Sequence, residues 1–226
     1  MQKLISLTVL VIVLAGLAIG GAAAQSSQPS SKVTAAVSSI TILQPTEGET
    51  DWTTILSNNL KTANQKDLFV DVSLECGLYT DTLVKSAGTK DTAKAEAGVY
   101  VQVLVDGVPM YPGEVVFCRR TQTLTALFGG IMQSCTDLNG DGTITYDECT
   151  WTPEELELVL DTMNANSFNF VLDDLGSGVH TVAVQARIST QAEAGAGVAN
   201  AKATIGKGSV TVESVRMIKN EEFLIE

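Results

Sequence analysis

The chain has 226 residues, of which 45% are hydrophobic, and its 26 acidic and 14 basic side chains give a formal net charge of −12. This charge argues against nucleic acid as a partner, because phosphate is repelled and Arg119-Arg120 is the only basic doublet. The length suffices for one large all-β domain or two small ones.

The first 24 residues predict a secretory signal. Lys3 precedes a largely apolar run from Leu4 to Ile19, and Ala22-Ala23-Ala24 offers a cleavage site before Gln25. Cleavage after Ala24 leaves 202 residues with a net charge of −13. The alternative is an uncleaved anchor, since the apolar run approaches the length that spans a bilayer. In both cases the rest of the chain is expected outside the cell, in the periplasm or on the cell surface.

Residues 25–32 (QSSQPSSK) predict a flexible tether, and a single domain is expected over 33–226. Apolar side chains then alternate with polar ones in several stretches, which indicates half-buried strands. The stretches are LFVDVSLEC at 68–76, VYVQVLV at 99–105, SFNFVL at 167–172, HTVAVQARI at 180–188 and SVTVESVRMI at 209–218. Gly-rich turns between such stretches favour a mainly β fold, a β-sandwich or a jelly roll.

An even number of cysteines in an exported chain predicts disulfides. The four cysteines allow three pairings, and Cys135–Cys149 with Cys76–Cys118 is favoured because Cys135 and Cys149 bracket an acidic loop. Their spacing fits no zinc site, and His180 is the only histidine. With no serine elbow, cysteine nucleophile or HExxH motif beside it, His180 is expected to be structural.

The segment TPEELELVLDTM at 152–163 is ambiguous. Thr152 as N-cap, Pro153 at the first helical position and Glu155 three residues after the cap favour a short helix with an apolar stripe. The alternation of Leu156, Leu158 and Leu160 instead fits a strand. The helix is the preferred prediction, and the strand remains the alternative.

The acidic loop DLNGDGTITYDE at 137–148 carries an oxygen at each ligand position of a 12-residue calcium loop. These positions fall on Asp137, Asn139, Asp141, Thr143, Thr145 and Glu148. Gly142 occupies the sixth position, where such a loop turns sharply. The alternative is an acidic turn that binds nothing, because Asn, Asp and Gly also dominate ordinary turns.

The same residues resemble the EF-hand calcium loop, D-x-[DN]-x-[DN]-G followed by five residues and Glu. The resemblance implies that the side chains of Asp137, Asn139, Asp141 and Glu148 bind Ca²⁺ directly. It also implies that Thr143 binds through its carbonyl, and Thr145 binds directly or through water. Gly129-Gly130 would weaken an entering helix and Cys149 follows the loop directly, so a solitary loop of the dockerin type is expected, inserted at about 124–163.

The remaining candidates are weaker. A sugar-binding platform could be formed by the aromatic side chains of Trp52, Trp151, Tyr79, Tyr100 and Tyr111. Aromatic residues, however, usually pack in the core or at its edges. The doublets Glu154-Glu155 and Asp173-Asp174 are expected to be solvated, since neighbours on a strand point to opposite faces.

These features predict a secreted, calcium-binding, non-catalytic protein with a structural or adhesive role. Its expected partners are a calcium ion and an extracellular protein or glycan, and it would meet a membrane only through an uncleaved signal. The alternative is a secreted carbohydrate-binding protein or hydrolase with an unrecognised active site. A calcium sensor is disfavoured, because sensors pair two loops and expose a Met-rich groove.

Overall fold

The computed structural model describes residues 32–38 and 48–217. The predicted signal segment and all of the tether except Lys32 lie outside the described residues. The strands within them are β1 (Lys32–Ser38), β2 (Gly48–Glu49), β3 (Thr53–Thr62), β4 (Lys66–Ser86), β5 (Asp91–Val105), β6 (Val108–Pro109), β7 (Val115–Ala126), β8 (Ile131–Cys135), β9 (Cys149–Thr152), β10 (Glu154–Leu175), β11 (Gly178–Ala194) and β12 (Val198–Val215).

Two antiparallel sheets form the sandwich. The first has the strand order β1-β12-β4-β10. In the second, β11 and β5 pair at the centre, β2 and β3 pair with the outer side of β11, and β6 and β7 pair with the outer side of β5. The mainly β fold and its sandwich architecture are thus as the sequence predicts.

The period-two stretches place alternate side chains between the two sheets. Val70 and Val72 of β4 are fully buried, and so are Val101 of β5 and Val184 of β11. Burying a side chain of this size contributes about 1.5–3 kcal/mol, so these rows supply much of the stability of the domain. The turn after Val105 is a two-residue hairpin in which Asp106 and Gly107 have φ of 52° and 86°, a geometry that favours Asp and Gly.

Both disulfides form as predicted. Cys76 of β4 pairs with Cys118 of β7, so this bond joins the two sheets across the core, with a Cα–Cα distance of 6.6 Å. Cys135 pairs with Cys149 on the neighbouring strands β8 and β9. Two disulfides and no free cysteine indicate a chain that folds in an oxidising compartment.

The preferred helix at 152–163 is wrong, because residues 154–175 form β10. This strand runs antiparallel to β4 from Glu154, opposite Ser86, to Leu172, opposite Leu68. The alternation of the three leucines fits this pairing, and the long neighbouring strand outweighs the helix-start signals, which act only locally. Pro153 lies between β9 and β10, where it occupies no position in either strand.

The expected insertion at about 124–163 includes the end of β7, which ends at Ala126, and the start of β10, which begins at Glu154. Among the described residues, no helix is both long enough and apolar enough to cross a membrane.

Candidate metal centre

The predicted calcium loop lies at the tip of a β-hairpin. Its arms are β8 and β9, and the directly opposed Cys135 and Cys149 close the base with a Cα–Cα distance of 4.0 Å. The N–H of Thr136 donates to the carbonyl of Glu148 at 3.1 Å, which continues the hairpin by one bond. Strands therefore hold this loop where an EF-hand has two helices, and its only helical turn is a 3-10 turn at Tyr146–Glu148.

Asp137 folds its side chain back into the loop. Its Oδ1 accepts from the N–H of Gly140 at 2.6 Å, and its Oδ2 accepts from the N–H of Gly142 at 2.8 Å. Both glycines have left-handed backbones, with φ of 74° and 79°, a conformation that costs other residues free energy. The two glycines thus let the chain turn around the carboxylate of Asp137.

The side chains of Asn139 and Asp141 each accept a hydrogen bond from the backbone N–H two residues later in the chain. Asn139 Oδ1 accepts from the N–H of Asp141 at 2.8 Å, and Asp141 Oδ1 accepts from the N–H of Thr143 at 2.7 Å. Side-chain oxygens at the first, third and fifth loop positions therefore all turn toward the backbone of the loop.

Glu148 closes the loop at its far end and is the most buried of the predicted ligands, with 8% of its surface exposed. Its Oε1 accepts from the N–H of Leu138 at 3.1 Å, and its Oε2 accepts from the N–H of Thr145 at 2.9 Å. The bond from Thr145 is the largest cause that holds the pKa of Glu148 below its usual range, against the opposing effect of burial. Glu148 therefore ties the two ends of the loop together as a carboxylate.

Asp147 is a loop residue outside the predicted ligand set. Its Oδ1 accepts from the hydroxyl of Thr145 at 2.7 Å, and this bond lowers the pKa of Asp147. The same hydroxyl also lies 3.2 Å from Glu148 Oε2. The hydroxyl of Thr145 thus donates to a carboxylate outside the predicted ligand set, and its oxygen keeps its lone pairs.

The donor set matches a hard cation in chemistry, because all six predicted ligands offer oxygen. Each carboxylate oxygen that accepts one N–H keeps a second lone pair. Within residues 32–38 and 48–217, however, no group of three or more His, Cys, Asp or Glu side chains is gathered closely enough to hold a metal ion. The ligands fit calcium in type and loop position, and Asp137, Asp141 and Glu148 do not meet at one point.

An aromatic pair that the sequence did not predict stiffens the hairpin beside the loop. The rings of Tyr146 and Trp151 stack with centroids 4.5 Å apart, and the indole N–H of Trp151 donates to the carbonyl of Tyr146 at 3.5 Å. Trp151, one of the candidate sugar-binding residues, thus has a ring that packs against the loop.

A second unpredicted cluster lies where β5 and β11 pair. The guanidinium of Arg187 lies 5.3 Å from the ring centroid of Trp52 and 4.9 Å from that of Tyr100. It also binds the carboxylates of Glu49 and Glu114, and Glu114 is the largest cause that raises the pKa of Arg187. Arg187 is more than 70 positions from each of the other four residues, so no local pattern could have found the cluster.

The two acidic doublets do not form facing carboxylate pairs. Glu155 makes an ion pair with Lys85 at 2.7 Å, while Glu154 accepts from the N–H of Gly130 at 3.1 Å. In the second doublet, the N–H of Asp174 donates to Asp67 at 3.0 Å. These contacts hold neighbouring segments together.

His180 joins two turns at one end of the sandwich. Its Nδ1 lies 2.7 Å from Asp106 Oδ2, and its Nε2 lies 3.1 Å from the carbonyl of Gly176. Asp106 also accepts from the N–H of Thr181 at 2.8 Å. These contacts fit the expected structural role of His180.

Acidification is expected to weaken this contact between the turns. The bond from His180, with that from Thr181, lowers the pKa of Asp106 below its ordinary value. The stabilisation is therefore fully present above the unfolded-state pKa and is lost as pH falls through the lower folded-state pKa. Asp106→Asn should reduce the fall in melting temperature between about pH 5 and about pH 3, measured by circular dichroism. Equal falls in both proteins would contradict a contribution from this carboxylate.

Comparison with known proteins identifies no family. No protein-family model matches the chain, and no curated protein matches it. A solved structure of infectious bursal disease virus, Gx strain, is 12% identical over 81% of this chain and 32% of that chain, with a TM-score of 0.30. The VP2 subviral particle of the same virus is 10% identical over 88% of this chain and 44% of that chain, with a TM-score of 0.18. The chain thus spans less than half the length of either, and these scores support no further comparison.

Proposed function

We propose that this protein is an exported, non-catalytic β-sandwich that binds one calcium ion through the loop at 137–148 and has a structural or adhesive role. The ion binds the side chains of Asp137, Asn139, Asp141 and Glu148 and the carbonyl of Thr143, and Thr145 binds it directly or through water. The observation that carries the proposal is a loop closed by Glu148 and by the Cys135–Cys149 disulfide, whose residues match every ligand position of a 12-residue calcium loop.

The hairpin supports this proposal, because it limits the rearrangement that binding requires. The loop is joined at its base by Cys135–Cys149, and Glu148 already contacts the backbone at Leu138 and Thr145. Binding then needs Asp137 and Asp141 to move closer to Glu148, and each of their oxygens that accepts one N–H keeps a lone pair for the ion. A smaller loss of conformational entropy on ordering favours tighter binding.

Titration calorimetry on the mature chain tests the proposal directly. Calcium is expected to bind with one site per chain, and magnesium to bind more weakly because it demands a smaller and more rigid octahedron. Asp147→Asn removes a loop charge outside the ligand set and should still bind. Absence of calcium heat from the native protein would make the loop an ordinary acidic turn.

Carbohydrate binding is the alternative function, and the cluster of Trp52, Tyr100 and Arg187 is the observation that bears on it. A sugar would need an apolar ring face for stacking, and Arg187 lies over one face of each ring. This arrangement favours a structural cluster over a sugar platform. Reproducible binding on a glycan array, with or without calcium, would promote the alternative.

Export is the other part of the proposal, and the two disulfides support it. Mass spectrometry of the chain from its native host should show Gln25 as the first residue, since cleavage is expected after Ala24. Retention of Met1 on a membrane-bound product would contradict cleavage and favour the anchor.

A further inference from the structure

The loop at 137–148 contains a peptide bond between asparagine and glycine. Of the nine asparagines in the sequence, only Asn139 is followed by glycine. Asn139 and Gly140 are both exposed at the tip of the hairpin. Apart from the chain neighbours of Gly140, no described residue has a heavy atom within 4 Å of where a Cβ on Gly140 would lie. The backbone nitrogen of Gly140 therefore lacks the shielding that a side chain would give it.

The side chain of Asn139 folds over the backbone that follows it. Its Oδ1 accepts from the N–H of Asp141 at 2.8 Å, so the side-chain amide lies against the backbone on both sides of Gly140. A reaction between two groups held in this way is effectively unimolecular, which lowers its free-energy barrier. The N–H of Asp141 also stabilises the negative charge that Oδ1 gains when a nucleophile adds to Cγ of Asn139. The loop thus favours attack on this Cγ by the backbone nitrogen of Gly140.

Asp137 supplies an acceptor for the proton on the same nitrogen. Its Oδ1 accepts from the N–H of Gly140 at 2.6 Å. A hydrogen bond to an ionised acceptor is roughly twice as strong as one between neutral groups, so it polarises the N–H bond more. The nitrogen of Gly140 is thereby more electron-rich than that of an ordinary peptide group, which makes it a better nucleophile.

We propose that the Asn139–Gly140 bond is a site of spontaneous modification, at which Asn139 loses ammonia and becomes aspartate or isoaspartate. The nitrogen of Gly140 bonds to Cγ of Asn139, the bond from Cγ to Nδ2 breaks, and the proton of Gly140 N–H leaves with Nδ2 as ammonia. Water then opens the resulting five-membered ring. Addition of water at Cγ breaks the new bond and gives aspartate, whereas addition at the main-chain carbonyl carbon breaks the original peptide bond and gives isoaspartate.

Both products change the third position of the loop. Aspartate adds a negative charge between Asp137 and Asp141, each two positions away. Isoaspartate adds one carbon atom to the backbone, which shifts the N–H groups of Gly140 and Gly142 that now donate to Asp137. The consequence for calcium rests on the proposed function: isoaspartate displaces the ligand at the third position, so the modified loop binds the ion more weakly.

Peptide mapping by mass spectrometry tests the proposal on the mature chain, incubated for several weeks in chelator at neutral pH. Asn139 is expected to exchange its amide for a carboxyl group at least about tenfold faster than Asn166, with isoaspartate among the products. Asn166 is the internal control, because Ser167 after it is also small. The backbone of Asn166 pairs with Leu74 of β4, and its side chain donates to the carbonyl of Phe117 at 3.3 Å. The paired strand resists the backbone rotation that ring closure needs.

Two variants test the chemistry at the bond itself. Gly140→Ala should slow the loss of ammonia at Asn139 by at least about tenfold, because a Cβ hinders the approach of the nitrogen. Asp137→Asn should slow it several-fold, because a neutral oxygen polarises the N–H of Gly140 less. Circular dichroism should show native strand content in both variants. Conversion of Asn139 no faster than that of Asn166, or an unchanged rate in Gly140→Ala, would overturn the proposal. Because conversion is measured in chelator, its result does not depend on whether the loop binds calcium.

Discussion

Glu148→Gln is expected to abolish most of the rise in melting temperature that calcium gives the native protein. An ion that binds only the folded chain stabilises it by RT ln(1 + [Ca²⁺]/Kd), about 2.7 kcal/mol at a hundred times Kd. Glutamine lacks the second carboxylate oxygen and the negative charge, so it cannot provide the bidentate ligand at the last loop position. Differential scanning calorimetry in calcium and in chelator measures the difference for each protein.

The two measurements on each protein separate ion binding from fold stability. Glu148 accepts from the N–H groups of Leu138 and Thr145, and glutamine has one oxygen where the native residue has two. Glu148→Gln should therefore also lower the melting temperature in chelator, a change that cancels in the difference between calcium and chelator. The matched control is Asp147→Asn, which removes the same charge from the same loop and should keep most of the calcium effect. Equal calcium effects in native protein and Glu148→Gln would show that Glu148 is not a ligand.

The predictable parts of the fold are the strands in which every second side chain is apolar and buried. Val70 and Val72 are buried because period two places them on one face of β4, and the same reasoning identifies β5 and β11. The sequence predicts a helix at the start of β10 because Thr152 to Glu155, which end in the first two residues of β10, match a helix start. The residues that decide the outcome lie in β4, about 70 positions earlier. Local signals cannot report such a partner.

The candidate site also has parts that the sequence predicts and parts that it does not. The spacing from Asp137 to Glu148 could be interpreted from residue types, because each ligand position follows from one short loop. The replacement of helices by a hairpin depends on the pairing of β8 with β9, and only Gly129-Gly130 and Cys149 hinted at it. The stacking of Tyr146 on Trp151 and the contacts of Arg187 with Trp52 and Tyr100 arise from tertiary packing, which single-sequence patterns do not encode.

Loss of the disulfide that joins the two sheets should cost more stability than loss of the hairpin disulfide. Cys76–Cys118 closes a sequence separation of 42 residues, and the chain-entropy model gives about 4 kcal/mol for such a loop. Cys135–Cys149 closes 14, for about 3 kcal/mol, and lies in a peripheral hairpin. The double variants Cys76→Ala/Cys118→Ala and Cys135→Ala/Cys149→Ala allow the two bonds to be compared by urea unfolding.

The two variants should also differ in what they affect. Removing Cys76–Cys118 frees β4 from β7 in the core, where Cys76 is 2% exposed, so the urea midpoint should fall while calcium affinity changes little. Removing Cys135–Cys149 loosens the base of the loop, so calcium affinity should weaken, with a smaller change in the urea midpoint because the hairpin can open without separating the sheets. Reductant added to the native protein should reproduce the loss of both bonds. If Cys76→Ala/Cys118→Ala had the same urea midpoint as the native protein, the covalent link between the sheets would add no stability to that of their packed valines.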